Sequence, residues 1–332
     1  MRGRCISVPK ARQGRSPAGW GPFLPFGVVP PGRCAPRGEG IMKAPGLHNP
    51  FPARPDDPDE RPAITQNGGS WLSLCRDCVA DIDLVLAELP TRTEREPVLR
   101  SGEGGDDTTA IDAAAEDAVV ARLAALESDF LLVSEELGER SFGAGGPMRV
   151  IVDPIDGSVN AKRGIPFFSL SLAVAEGPAM ADVTFGYVYD FGAREEWVAE
   201  RGRGARLNGR PLESPPPKDP IEILSFEATT TAYIADKAAS LLGVAERLRV
   251  MGSLALSLCH LAAGRVDAVC SLKAARSIDI AAAQLLVRER GYAIELFEDP
   301  PFEAAPLDLV GRSRLVAAAT PALCAELADA LR

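Results

Sequence analysis

Residues 149–158, RVIVDPIDGS, constrain the fold more than any other stretch of this 332-residue chain. An apolar run from Met148 to Val152 has the make-up of a core β-strand. It leads straight into two acids three residues apart, Asp153 and Asp156, with a proline between them and a glycine after. Aspartate is a poor strand former and its charge is costly to bury. A fold that ends a core strand in this way has to give both carboxylates a partner. Pro154 stiffens the turn between them, and Gly157 lets other backbone approach closely. Gly157 and Ser158 then open a helical turn whose free N–H groups suit an anion.

Other acids also stand where regular elements end. The strand Phe130 to Glu136, FLLVSEE, closes on Glu135 and Glu136. Asp106 and Asp107 lie in the glycine-rich loop SGEGGDDTT, and Asp279 starts a helix in ARSIDIAAA. If the two strands are neighbours, Glu135, Asp153 and Asp156 meet at one sheet edge. Converging carboxylates repel one another unless a cation sits among them. Oxygen-only donors, with the Ile155 carbonyl as a further one, point to a hard ion, Mg²⁺ first and Mn²⁺ next. Each feature alone has an ordinary explanation: an Asp-Pro turn, a solvated loop start, a helix cap. Together they outline two-metal hydrolysis, in which the ions hold both the nucleophilic water and the leaving oxygen.

Composition narrows the alternatives. A net charge of −10 argues against a nucleic-acid polymer as partner. No run reaches the roughly 18 apolar residues of a membrane span. The two histidines are His48, in a proline-rich stretch, and His260, in an alanine-rich helical run, so chemistry based on histidine is not expected. Seven scattered cysteines read as reduced thiols of a cytoplasmic protein. Cys75 and Cys78 form a C-x-x-C with no second pair. They read as helix residues one turn apart, with a redox switch as the alternative.

Residues 1 to about 65 are rich in Pro, Gly and Arg and lack a sustained period, which predicts disorder. Two origins stand for this extension: an arginine-biased transit peptide, or a start assigned too early, with Met42 as the true one. A helix is predicted from Trp71 to Leu89, with Leu72, Cys75, Val79, Ile82, Val85 and Leu86 on its apolar face. A second follows from Ile111 to Leu126. Strands are predicted at Phe167–Ala175 and Val183–Tyr189, then a hairpin around RGRG. ESPPPKDP, residues 213–220, reads as a linker. Beyond it strands and helices alternate: strand Ile221–Phe226, helix 231–242, strand Arg247–Met251, helix 253–263, strand Asp267–Ser271, helix 279–290, strand Tyr292–Leu296. The fold class is therefore α/β, with an α+β N-terminal half and an α/β C-terminal half. The boundaries are 66–217 for the half carrying the main metal and phosphate site, and 218–332 for the half adding the last acid and substrate contacts.

LLVSEELG, IVDPIDGSVNAKRGIPFFSLSLAV, MGSLALSLCHLAAGRVDAV and SIDIAAAQLLVRERG resemble, in that order, segments of the inositol monophosphatase family. This family sits within the lithium-sensitive, metal-dependent sugar phosphatases. The resemblance runs from about residue 70 to the C-terminus. IPFFSLSLAV is most similar to archaeal and bacterial members described as acting on both inositol monophosphate and fructose bisphosphate. It implies a layered αβαβα sandwich, a homodimer and two or three Mg²⁺ ions per site. It matches Glu135, Asp153, the Ile155 carbonyl, Asp156 and Asp279 to metal ligands. Ser158 matches the hydroxyl residue that orients the attacking water. Its acidic partner comes from GDDTTAID: Asp106, with Thr109 beside it, or Asp107. Asp156, Gly157, Ser158, Gly252 and Ser253 match phosphate and substrate contacts, with Arg276 close by.

The chain also departs from the family pattern. Ile278 replaces the aromatic residue that often precedes the last aspartate, Ala161 replaces a frequent Phe, and Leu272 replaces an acid common in inositol-preferring members. Lys273 and Arg276 are cationic nearby, which leaves room for a second anionic group on the substrate. The expected function is Mg²⁺-dependent hydrolysis of a small polyol or sugar phosphate, inositol 1-phosphate or fructose 1,6-bisphosphate. The alternatives are a nucleotide phosphatase of the same superfamily, acting on 3′-phosphoadenosine 5′-phosphate or NADP, and a non-catalytic ligand-binding relative.

Overall fold

The computed structural model describes residues 70–227 and 230–332. The expectations for residues 1 to about 65, His48 among them, lie outside the described residues. Helix α1 (Trp71–Glu88), the short α2 (Arg92–Arg95) and a ribbon of β1 (Val98–Ser101) with β2 (Asp107–Thr109) precede α3 (Ala110–Ala124). Next come β3 (Phe130–Ser134), β4 (Gly138–Phe142), β5 (Arg149–Asp156), α4 (Ser158–Arg163), β6 (Ser169–Ala175), β7 (Val183–Asp190), β8 (Glu195–Glu200), β9 (Gly204–Leu207) and β10 (Arg210–Pro211). The second half runs β11 (Ile221–Glu227), α5 (Thr231–Lys237), β12 (Ala245–Arg249), α6 (Leu254–Ala262), β13 (Ala268–Ala275), α7 (Ser277–Glu289), β14 (Ala293–Leu296), β15 (Ser313–Ala318) and α8 (Pro321–Leu331).

The first sheet has the order β10-β9-β8-β7-β6-β5-β3-β4 and is antiparallel except where β3 and β5 run parallel. The second has the order β12-β11-β13-β15-β14. Its first three strands are parallel, and β15 runs antiparallel to both its neighbours. Helices α1 and α3 pair on one face of the first sheet. Helices α6 and α7 fill the space between the sheets, and α8 covers the second. The result is a layered αβαβα sandwich. One apolar core joins Val133 and Ile151 of the first sheet, Leu256 and Leu286 of the middle helices, and Val269 and Leu315 of the second sheet. The alanine run of α7 permits this close packing: Gly186 on β7 lies so near Ala282 that an added Cβ would stand 2.4 Å from its carbonyl oxygen.

Three local differences from the sequence reading have physical causes. Strand β4, GERSF, is an edge strand of glycine and charged residues, so it lacks the alternation that marks a strand. Glu135 and Glu136 lie in the tight turn from β3 to β4, beyond the strand proper. The buried face of α1 is Trp71, Leu74, Cys75, Cys78, Val79 and Ile82, while Leu72, Val85 and Leu86 are half-buried. Burial pushes the thiols of Cys75 and Cys78 up, the latter to about 12, so neither is poised as a thiolate. No helix among the described residues is long and apolar enough to cross a membrane.

Candidate active site

The site begins with an interruption in β5. Its pairing with β6 runs Val152 with Leu172 and Asp153 with Ser171, breaks, and resumes at Asp156 with Ser169. Pro154 has no N–H to give the ladder, and one extra residue on β5 makes a bulge. The bulge closes on itself: Asp153 Oδ1 accepts from the Ile155 N–H at 2.9 Å. Asp156 reaches into the second half, where its Oδ2 accepts from Ser253 Oγ at 2.5 Å and from the Ala255 N–H at 2.9 Å, at the start of α6. Gly157 follows with φ near +100°, and a Cβ there would meet the carbonyl oxygens of Phe167 and Gly252 at 3.1 and 3.2 Å. Only glycine meets both demands without strain. Ser158 Oγ donates to the Ile155 carbonyl at 3.1 Å. Asn160 Nδ2 donates to the carbonyls of Phe167 and Met251, both at 2.8 Å, and so ties this turn to the loop before α6.

Strand β3 is the parallel neighbour of β5, with Ser134 opposite Val152, so Glu135 emerges beside Asp153. Asp279 is the third residue of α7 and caps it through the Arg276 N–H at 2.7 Å. Glu135, Asp153, Asp156 and Asp279 are all buried. Burial, and then the charge of its fellow acids, drives the Asp153 carboxyl well above the usual range. Burial likewise lifts Glu135 to about 7, against the pull of Arg276, and Asp156 to about 7, against its bond from Ser253. Arg276 is itself only 4% exposed. Its Nη1 lies 2.6 Å from Glu135 Oε1, and its Nη2 lies 3.0 Å from Asp279 Oδ1. Burial opposes the Arg276 charge, but the carboxylates of Asp279 and Glu135 outweigh it and hold its pKa above the ordinary value.

These groups share a cavity of about 520 Å³. Of the residues predicted from sequence, Asp106, Thr109, Glu135, Asp153, Ile155, Asp156, Gly157, Ser158, Gly252, Arg276 and Asp279 line it, as does the alternative Asp107. Ser253 stands behind Asp156 rather than on the wall. Asp106 is exposed at the rim, 3.6 Å from Lys273 Nζ and 3.5 Å from Arg276 Nη1. Thr109 Oγ1 donates to Asp112 at 2.5 Å in the cap of α3. Among the described residues, Ser158 and Asp106 share no direct hydrogen bond.

The donors fit a hard cation by their chemistry: four buried carboxylates face one buried guanidinium, and every donor is an oxygen. As placed, no group of three among the described residues forms a ready metal cage, and Arg276 bridges Glu135 and Asp279.

The sequence reading passed over Glu227, which also lines the cavity. Its Oε2 accepts from the Gly252 N–H at 2.9 Å, and its Oε1 from Ser257 Oγ at 2.8 Å and Ser225 Oγ at 3.0 Å, so it anchors the loop carrying Gly252. A signal was available. ILSFE is an apolar strand ending in an acid, the same signature that marked Glu135.

The model of the inositol monophosphatase family matches residues 80–332. A fructose-1,6-bisphosphatase/inositol-1-monophosphatase of Thermococcus kodakarensis is 33% identical over 229 residues, 69% of this chain and 84% of the relative. The Nus factor SuhB of Escherichia coli K12 is 31% identical over 249 residues, 71% of this chain and 90% of the relative. Among solved structures, an inositol monophosphatase–fructose 1,6 bisphosphatase superposes with a TM-score of 0.69 at 25% identity, covering 79% of this chain and 99% of its own.

Proposed function

Because this chain belongs to the inositol monophosphatase family and is a phosphatase of that type, we propose that it is a Mg²⁺-dependent hydrolase of a small polyol or sugar phosphate, inositol 1-phosphate or fructose 1,6-bisphosphate. The observation that carries the metal-dependent reading is the meeting of four buried carboxylates, from the turn after β3, from β5 and from α7, on one cavity. Glu135, Asp153, the Ile155 carbonyl, Asp156 and Asp279 are the groups that would hold the ions. When bound, hard cations supply charge neutralisation for the phosphate and acidify water.

The rest falls to the chain's own residues. Ser158 turns its hydroxyl from the Ile155 carbonyl toward the attacking water and orients it. Asp106, or its neighbour Asp107, accepts the proton, and Thr109 holds the start of α3 in place through Asp112. The backbone N–H groups at Gly157 and Ser158 receive the non-bridging phosphate oxygens, which leaves the side opposite the leaving oxygen to the water. Gly252, fixed by Glu227, borders the rest of the substrate. Lys273 and Lys162 on the cavity wall suit a second phosphate.

A second reading, a non-catalytic member that binds a partner, draws support from the relative named as a Nus factor. Phosphate release by the purified protein separates the two. With Mg²⁺, release from inositol 1-phosphate or fructose 1,6-bisphosphate is expected, abolished by chelator and weaker from 3′-phosphoadenosine 5′-phosphate and NADP. Stronger release from either nucleotide would transfer the substrate assignment to it. No release from any of the four by folded protein would overturn the hydrolase proposal and favour the second reading.

A further inference from the structure

Arg276 occupies an unexpected position for a cation in this cavity. A residue that recognises a substrate's far phosphate would present its guanidinium to open space. Here the guanidinium is almost wholly buried, and its nitrogens are spent on two of the carboxylates that would hold a metal. Nη1 meets Glu135 at 2.6 Å, Nη2 meets Asp279 Oδ1 at 3.0 Å and Nε meets Asp279 Oδ2 at 3.3 Å. The Arg276 backbone N–H holds the same Asp279 carboxylate at 2.7 Å.

The glycine loop is shaped around this arrangement. The Gly104 N–H donates to the Glu135 carbonyl at 2.8 Å, and a Cβ on Gly104 would lie 2.8 Å from Arg276 Nη1. Arg312 Nη2 donates to the Gly104 carbonyl at 2.5 Å.

We propose that Arg276 is a resident counter-cation of the site. It satisfies Glu135 and Asp279 while no divalent ion is present, and it withdraws from them when one binds. The inference rests on the metal-dependent reading above. A divalent ion held by the same two carboxylates would lie close to the guanidinium, and two cations so near each other in a buried site repel strongly. The structure also supplies a place for the guanidinium to go. Asp106, at the exposed rim of the cavity, already lies 3.5 Å from Nη1 and offers a carboxylate on the outward path; paired there, it leaves Asp107 as the proton acceptor of the proposed hydrolysis. Withdrawal toward Asp106 would exchange a buried ion pair for a half-solvated one. The arginine would therefore lower the apparent affinity for the ion in proportion to the time it spends in place.

Calorimetric titration of chelator-stripped protein with Mg²⁺, alongside thermal melts with and without Mg²⁺, tests this without measuring turnover. Arg276→Ala is expected to bind Mg²⁺ about tenfold more tightly than the parent. It should melt at lower temperature than the parent without the ion, and that deficit should shrink when the ion is saturating. Arg276→Lys keeps a charge but cannot bridge both acids, so it should also bind more tightly; it decides the matter if the alanine variant does not fold. Equal or weaker Mg²⁺ affinity in the variants, with the parent binding normally, would overturn the inference alone. Absence of Mg²⁺ binding in parent and variants alike would overturn the inference and the metal-dependent reading together.

Discussion

Asp153 shows at the level of one residue what it costs the fold to bury an acid among acids. It is buried beside three other acids, and its carboxyl is driven well above the usual range by burial and by their charge. Asp153→Asn removes that charge while keeping the shape and one acceptor oxygen for the Ile155 N–H. Mg²⁺-dependent turnover should fall by more than the roughly tenfold to hundredfold that accompanies loss of a group merely orienting a ligand. The chelator-stripped variant should meanwhile melt higher than the parent at pH 8, by circular dichroism, because no charge remains to be buried. Turnover retained at saturating Mg²⁺ would remove Asp153 from the proposed ligand set. The positions of Glu135, Asp153, Asp156 and Asp279 were legible because each breaks a strong local pattern, an acid at the end of an apolar element. That Arg276 would bridge Glu135 and Asp279 was not. A three-residue spacing from Asp279 says nothing about which way a long side chain folds back.

Helix α7 decides the outcome at the level of elements. It lies between the two sheets, carries Asp279 at its start and packs on β7 through small residues. Gly186→Ala on β7 places a methyl group 2.4 Å from the Ala282 carbonyl oxygen, a contact that backbone cannot yield cheaply. The expected cost is about 2 kcal/mol by urea denaturation, with weakened Mg²⁺ binding as α7 shifts Asp279. Unchanged stability would mean that the helix–sheet spacing is looser than it stands here. The strongly periodic elements, α1, β3, β5, β6, β7 and α6, were readable from their apolar runs. Strands β1, β2 and β4 were not, being short, exposed and polar. The alternating second half was read as strands and helices in turn, but β15 inserts between β13 and β14 and runs antiparallel to both. Alternation specifies the succession of elements and leaves the order of strands in the sheet open.

For the whole molecule, buried charge sets the response to pH. Glu116, Glu135, Glu136 and Asp156 have carboxyls raised to about 7, in each case first by burial. A carboxyl whose folded pKa lies above its unfolded value contributes stability that is fully present below the unfolded pKa and lost as pH rises through the folded one. His260 has the opposite sign. Packed against the rings of Phe167 and Trp197, it is held down to about 4 by burial and by Arg265, so its contribution is lost as pH falls from 6.5 toward 4. The four acids outnumber the histidine, so chelator-stripped protein should melt at lower temperature at pH 8 than at pH 6. Saturating Mg²⁺ should remove most of the difference. A melting temperature independent of pH, or one that rises toward pH 8 without metal, would contradict this balance. The sequence by itself determined the succession of most elements, the α/β class and the identity of the acids at their ends, because these follow from local periodicity and from the cost of burying a charge. Only the tertiary structure decided that β3 and β5 are parallel neighbours, that Glu227 holds the loop of Gly252, and that Arg276 lies among the carboxylates. Those facts depend on which distant segments meet, and a buried charge is satisfied by whatever the fold brings within about 3 Å of it, however far away that partner lies in the chain.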